Sequence, residues 1–204
     1  AVLVSFISFS KPSFGHGFHG KAHYLANEGV VVESGDSKLM FDPFFHNNYG
    51  HYTLVPQKMR KAIFENKVPY DNIDAIFISH AHGDHFDAAD TLRYLQSHQN
   101  VNLFAPRQAV KQLESLEEYE TIKDRIHSIN LKKDEKAKQI KLGNMIVEAV
   151  RIPHAGWPQR AEIENIVFRV GGEKQFTVMH FGDADPDESH YKVHQQFWQS
   201  KRTD

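Results

Sequence analysis

The run Ile73-Asp74-Ala75-Ile76-Phe77-Ile78-Ser79 passes without a break into His80-Ala81-His82-Gly83-Asp84-His85. A short, nearly continuous apolar run reads as a strand buried on both faces, and open sheets place functional groups in the loops where such strands end. In extended chain, residues two apart point the same way, so His80 and His82 can grip one cation together. Gly83 lets the backbone turn, which brings Asp84 and His85 to a neighbouring position where a second cation can sit. Metal pairs of this kind lie about 3.5–4 Å apart and share a water or hydroxide. A surface loop merely rich in His and Asp would match these spacings about once in a few hundred such chains.

Two later elements supply further candidates. His154 follows Arg151-Ile152-Pro153 at the end of a strand-like run, where it can be the third imidazole on the first metal or a structural histidine. Asp183 follows Gly182 after the run Phe176–His180, and a carboxylate there can bridge both cations. Close backbone approach is a common reason for a glycine beside a metal ligand. The chain has 14 histidines and no cysteine, so a metal site must use imidazole and carboxylate ligands. Those ligands suit zinc, iron or manganese.

This order of buried strand, His-x-His-x-Asp-His, strand-end Pro-His and later Gly-Asp resembles the metallo-β-lactamase superfamily. Lys38-Leu39-Met40-Phe41-Asp42-Pro43 is similar to the early strand of that fold, which ends in an Asp beside the metals. Its Asp-Pro form resembles the branch that contains L-ascorbate-6-phosphate lactonase. The resemblance spans about Tyr24 to Trp198 and implies an α/β fold, an αββα sandwich. It implies that His80, His82 and His154 hold the first metal, that Asp84 and His85 hold the second, and that Asp183 bridges. Asp42 would orient a ligand histidine through its free ring nitrogen, or else serve as a strand-end turn carboxylate. The family's final metal-site histidine follows a further strand beyond the Gly-Asp motif, so the fold is expected to be C-terminally incomplete, with that ligand beyond residue 204. His190 and His194 read as one face of a helix, and His180 as a core group or a support for a ligand.

The activity so implied is that of a metal-dependent hydrolase with a dinuclear site, two zinc ions or alternatively iron or manganese. Paired cations lower the pKa of a bound water enough to supply hydroxide near neutral pH. That hydroxide would cleave an ester, lactone or related bond of a small molecule, and Asp84 would be catalytic by aiming it. The alternatives are a phosphodiesterase or nuclease of the same superfamily, and a non-catalytic metal-binding fragment. A formal net charge of −2 and the absence of a basic stripe argue against nucleic acid as a partner. No segment reaches the roughly 18–20 apolar residues of a membrane span. Specificity would sit on the loops Phe44–Tyr52 and Ala155–Arg160, where Phe44, Phe45, Tyr49, Tyr52 and Trp157 either line a pocket or pack. Nothing in the sequence sets an oligomeric state.

Residues 1–22 read as a leader or flexible lead-in, and residues 23–204 as one hydrolase domain. The apolar run Ala1–Phe9 is either the core of a secretory leader, giving a periplasmic or secreted protein, or a first β-strand of a cytoplasmic one. Tyr24–Glu33 and Lys38–Phe41 are expected as strands joined by Ser34-Gly35-Asp36-Ser37. Helices are expected over Pro56–Asn66, over Ala88–Gln99, from Pro106 to about Glu118, and from about Glu188 onward. Further strands are expected at Asn102–Phe104, Ile126–Leu131, Ala137–Leu142, Met145–Ile152, Asn165–Val170 and Gln175–His180.

Overall fold

A computed structural model describes residues 20–34, 36–172 and 177–201. The first sheet contains β1 (Lys21–Ala26), β2 (Gly29–Ser34), β3 (Ser37–Phe41), β4 (Ala75–Phe77), β5 (Asn102–Pro106) and β6 (Ile126–Ile129), hydrogen-bonded in that order. β1–β2 and β2–β3 pair antiparallel, while β3–β4, β4–β5 and β5–β6 pair parallel. The second sheet is antiparallel, in the order β10 (Val178–His180), β9 (Ile166–Gly172), β8 (Met145–Arg151), β7 (Lys138–Leu142).

Side-chain alternation along the central strands builds the layers. Leu39, Phe41, Ala75, Phe77 and Phe104 turn toward the second sheet and meet Val147, Ala149, Ile166 and Phe168. The alternate residues Met40, Ile76, Ile78, Leu103 and Ala105 turn the other way. There they meet Ile63 of α1 (Gln57–Phe64), Leu92 and Leu95 of α2 (Ala88–Ser97), and Val110 and Leu113 of α3 (Arg107–Glu114). Both faces of β4 are thus buried, as its unbroken apolar run requires. Phe41, Phe77 and Phe104 stack in a row across three adjacent strands at 5.0 Å between centroids, and Phe168 meets Phe77 edge-on from the other sheet at 5.2 Å. Each ring so buried contributes about 1.5–3 kcal/mol. On the outer face of the second sheet, Val150, Ile152 and Val167 pack on Phe197 of α5 (Gln195–Ser200), which follows α4 (Glu188–Lys192). The expected αββα layering is what the molecule shows.

Three expectations are corrected. Tyr24–Glu33 is not one strand but a hairpin, because Asn27 adopts a left-handed backbone (φ 45°) and turns the chain. Its side-chain amide donates to the Asp84 carbonyl at 3.0 Å, which fixes that turn against the metal-motif loop. The helix from Pro106 stops at Glu114 and gives way to two short 3-10 turns. The helix from Glu188 breaks at Val193–His194, where the His194 ring bonds the Lys133 carbonyl at 3.0 Å. β1 begins at Lys21, and His23 pairs with Glu33 at 2.7 Å. The run Ala1–Phe9 lies outside the described residues, and with it the leader.

Arg169 fastens the last layer. Its side chain is buried beneath α5, with Nε on Glu148 (2.9 Å), Nη1 on the Phe197 carbonyl (2.6 Å) and Nη2 on Ser200 Oγ (2.8 Å). A guanidinium at a helix C-terminus satisfies carbonyls that the helix itself leaves open. Arg169→Met should therefore cost about 1–3 kcal/mol, since it removes three hydrogen bonds and leaves Glu148 only Lys201 (3.2 Å) and the Phe197 carbonyl only the Ser200 hydroxyl (2.9 Å). Arg169→Lys should recover little of this, because one ammonium cannot serve three acceptors in a fork. Urea unfolding checks both; an Arg169→Met variant as stable as the parent would show that α5 is held by Phe197 alone.

Candidate metal centre

The site lies where the C-terminal end of β4 meets the ends of β8 and β10. Ser79 accepts at its carbonyl from the Ile166 amide of the second sheet at 2.8 Å, so the two sheets are joined directly beside His80. All six residues singled out by sequence converge here. The imidazoles of His80, His82, His85 and His154 pack ring to ring, with centroids 4.1–4.8 Å apart. His80, His82 and His154 present ring nitrogens within 4.8 Å of one another, and so do the ligand atoms of His80, Asp84 and His85. His80 belongs to both groups and stands between the two positions. Asp183 reaches across them: Oδ1 lies 3.3 Å from His85 Nε2, and Oδ2 lies 3.4 Å from His154 Nε2 and 4.0 Å from His80 Nε2.

The outward hydrogen bonds decide which nitrogen each ring offers. His80 Nδ1–H donates to Ser79 Oγ (3.0 Å), and that hydroxyl donates onward to Asp42 Oδ2 (2.5 Å). His85 Nδ1–H donates to the same carboxyl oxygen (2.8 Å), and His154 Nδ1–H donates to the Ala155 carbonyl (2.8 Å). A proton fixed on Nδ1 leaves the Nε2 lone pair free toward the centre. His82 is the exception, and faces His80 Nε2 with its Nδ1 at 3.1 Å. Asp42 therefore holds a candidate ligand, His85, by its far nitrogen. It is fully buried and itself takes a left-handed backbone (φ 41°).

Two buried atoms in the centre make no hydrogen bond at all: His154 Nε2 and Asp84 Oδ1. A buried lone pair without a donor is costly, and a cation satisfies both. The donor set is imidazole and carboxylate throughout, which fits a divalent transition metal. Electrostatics agree. Burial, then the neighbouring His85 charge, drives His80 well below the usual imidazole range, and burial followed by His154 lowers His82. Both are thus neutral and able to ligate. For His85 burial acts the same way, but Asp183 and Asp42 overrule it and push the ring up to about 10. Burial raises Asp183, yet the imidazoles of His154 and His85 bring its carboxyl far below the ordinary range. Asp42 is likewise lowered against its own burial, by His180 and then by the hydrogen bond from His85.

Sequence reasoning missed the residues that hold Asp183 and His154 in register. Asp185 Oδ2 accepts from the amides of Gly156 (3.2 Å) and Trp157 (3.3 Å), while its own amide donates to the Pro153 carbonyl (2.7 Å). The Ala155 amide donates to the Asp183 carbonyl (2.7 Å), which closes a ladder between the two ligand loops. Asn165 spans the same gap, accepting from the Asp183 amide (3.1 Å) and donating to the Phe181 carbonyl (3.0 Å). Gly182 is read correctly from sequence: its φ is +54°, and a Cβ there would strike Ser79 and Asn165. An Asp two residues past a ligand was the one available signal for Asp185. His180 stacks on Phe41 at 5.0 Å and its Nε2 bonds the Glu28 carbonyl (3.1 Å), a supporting position. His190 is buried behind Asp185 Oδ1 at 3.6 Å, away from the cluster.

Comparisons with known proteins agree with this geometry. A family model described as "Beta-lactamase superfamily domain" matches residues 37–197. A UPF0173 metal-dependent hydrolase of Alkaliphilus metalliredigens is 34% identical over 65 residues, covering 32% of this chain and 23% of that protein. The UPF0173 protein YddR of Bacillus subtilis is 30% identical over 71 residues, covering 31% of this chain and 28% of its own. The matched segments thus span about a quarter of the length of these curated relatives. Among solved structures, a protein of Veillonella parvula described as a possible metal-dependent hydrolase superposes with a TM-score of 0.60 at 14% identity. That match covers 90% of this chain and 69% of the other. A Parabacteroides distasonis protein described as "Putative metal-dependent hydrolase" gives 0.52 at 15% identity, covering 82% and 67%. Two sheets packed face to face, ligands gathered at their common edge and a family match over most of the chain lead to one conclusion: the chain belongs to the metallo-β-lactamase superfamily.

Proposed function

We propose that this chain is a metal-dependent hydrolase that cleaves an ester, lactone or related bond of a small molecule. The observation that carries the reading is the pair of buried atoms without a hydrogen bond, His154 Nε2 and Asp84 Oδ1, at the centre of a cluster in which the Nε2 atoms of His80, His85 and His154 all face inward. His80, His82 and His154 would hold one cation, Asp84 and His85 a second, and Asp183 both. Zinc suits these donors, as do iron and manganese. When bound, such a pair supplies Lewis acidity, acidifying water and polarising a carbonyl or phosphoryl oxygen.

The protein's own groups do the rest. The Asp84 carboxylate, besides holding the cation, would accept a hydrogen bond from the attacking water and set its direction. Asp42, through Ser79 and His85, keeps the Nδ1 protons where they are, so that no ring rotates or changes tautomer during turnover. Asp183, partly exposed at the cleft floor, places its two oxygens toward the two groups. A polynucleotide substrate is disfavoured by the net charge of −2 and by Asp84, Glu162 and Asp183 in the cleft lining.

Asp84→Asn should lower kcat by at least about 100-fold on any ester that the metal-loaded parent cleaves, while denaturant stability shifts by less than about 1 kcal/mol. Full activity in that variant would remove Asp84 from the reaction. Metal content by elemental analysis and thermal stabilisation by added zinc test the reading as a whole; no bound metal and no stabilisation would end it.

Cation binding should also release a proton from His85. Without metal that ring, raised to about 10, is protonated at neutral pH and carries its Nε2 proton toward Asp183. A cation needs the Nε2 lone pair, so its affinity must rise as pH rises, by close to tenfold per unit while the pH stays below that value. Calorimetric zinc titrations in buffers of different ionisation enthalpy, between about pH 6.5 and 8.5, measure this. Affinity that stays flat over that range would place the cation away from His85.

A further inference from the structure

A cleft of about 460 Å³ opens over the metal centre, with His82, Asp84 and Asp183 at its floor. Tyr49, His51 and Tyr52 form one wall; Arg160, Glu162 and Ile163 form the other. Its volume suits a small molecule.

Both walls are fixed to the ligand loops. The amides of His46 and Asn47 donate to the Gly83 carbonyl at 3.3 and 3.0 Å, so the tyrosine loop hangs from the turn between His82 and Asp84. Tyr49 takes a left-handed backbone (φ 46°), which an aromatic residue rarely adopts, and its amide is held by Asn47 Oδ1 at 2.9 Å. Opposite, Asp185 grips the amides of Gly156 and Trp157, and the Arg160 amide donates to the Gly156 carbonyl at 3.2 Å. The Arg160 stem lies over Gly156, close enough that a Cβ there would sit 3.3 Å from its Cδ.

The Arg160 head differs from every other described arginine. Arg60, Arg93, Arg107 and Arg169 pair with carboxylates, and Arg125 and Arg151 donate to backbone carbonyls. Among the described residues, the Arg160 guanidinium has neither kind of partner, although Glu162 shares its wall. Its stem is placed and its head is free, at the mouth of the cleft.

Resting on the hydrolase reading, we propose that Arg160 determines specificity by binding an anionic group of the substrate, a carboxylate or phosphate, while the scissile ester faces the floor. A guanidinium is always charged and matches such groups with two parallel hydrogen bonds. Tyr49 and Tyr52 cover the body of the substrate. Glu162 repels any anion not seated on the guanidinium itself, so the class is a small ester or lactone with a single anionic group.

The test uses the metal-loaded full chain and a matched pair of esters, phenyl acetate and phenyl hydrogen succinate. Arg160→Gln should lower kcat/KM on the succinate at least about tenfold more than on the acetate, and Arg160→Lys should restore part of the difference. Equal losses on both esters, or none on either, would overturn the proposal. The non-hydrolysed amides acetanilide and N-phenylsuccinamic acid separate this outcome from failure of the hydrolase reading. If neither ester is cleaved, that reading falls, and calorimetric binding of the acid amide, lost in Arg160→Gln, still upholds the anion site. If the acid amide binds the parent no more tightly than acetanilide does, the anion site falls whatever the activity.

Discussion

Asp42 is the interaction on which the site is hung. Its carboxylate accepts from the Ser79 amide (2.7 Å), the Ser79 hydroxyl (2.5 Å) and His85 Nδ1 (2.8 Å), all in a fully buried position. A buried carboxylate needs several strong donors to stay ionised, and here those donors are the groups that must be immobile for metal binding. Through Ser79 the same anion reaches His80, so one side chain at the end of β3 sets the tautomers of two rings beyond β4. β3 and β4 are parallel neighbours in register, Phe41 opposite Phe77. The stack of phenylalanines under the site therefore fixes the separation across which Asp42 works.

The second sheet must meet that first half within a few tenths of an ångström, and polar groups rather than apolar packing achieve it. The Ile166 amide bonds the Ser79 carbonyl, Asn165 links β9 to the loop before Asp183, and Gly182 admits Ser79 and Asn165 where any Cβ would push them apart. Hydrophobic contact between the sheets is non-directional and tolerates sliding. Directional bonds at the ligand-bearing edge remove that freedom, and the Asp185 ladder does the same between Asp183 and His154. Precision is concentrated where chemistry needs it.

This division explains what could be read from the chain beforehand. The buried strand, the His80–His85 run, the strand-end His154 and the Gly182-Asp183 pair were legible because each is a local pattern with a fixed spacing. The layer architecture was legible through the family resemblance that these motifs carry, and the structure builds it from period-two alternation, as with Met40 against Leu39 and Phe41. Asp185, Asn165 and Ser79 were not legible, because their roles depend on partners far along the chain, and a single Asp, Asn or Ser carries no spacing of its own. The turn at Asn27 was hidden in an apolar run by a residue that tolerates a left-handed backbone and finds its partner, the Asp84 carbonyl, 57 positions away. The break at His194 depended in the same way on Lys133. Arg160 showed only as the end of a candidate loop, since its distinguishing property is the lack, among the described residues, of a partner such as the other described arginines have.

The charge balance of the centre carries the reasoning one step further. Asp42 is held below the usual carboxylate range and Asp183 far below it, so both are anionic, while His80 and His82 are driven toward neutrality. Two anions in a poorly hydrated pocket demand a compensating positive charge, and in the metal-free protein the His85 ring supplies it, between Asp42 on one side and Asp183 on the other. That proton stands on the face of His85 turned toward Asp183 and Asp84, the face on which the proposed second cation would sit. On the proposed reading, exchange of that proton for a metal would leave Asp42 paired with the same ring and would give Asp84 Oδ1 and His154 Nε2 the partner they lack. The carboxylate that orients His85, at the end of β3, is thus separate from Asp183, which follows β10 and faces the same ring from the other side.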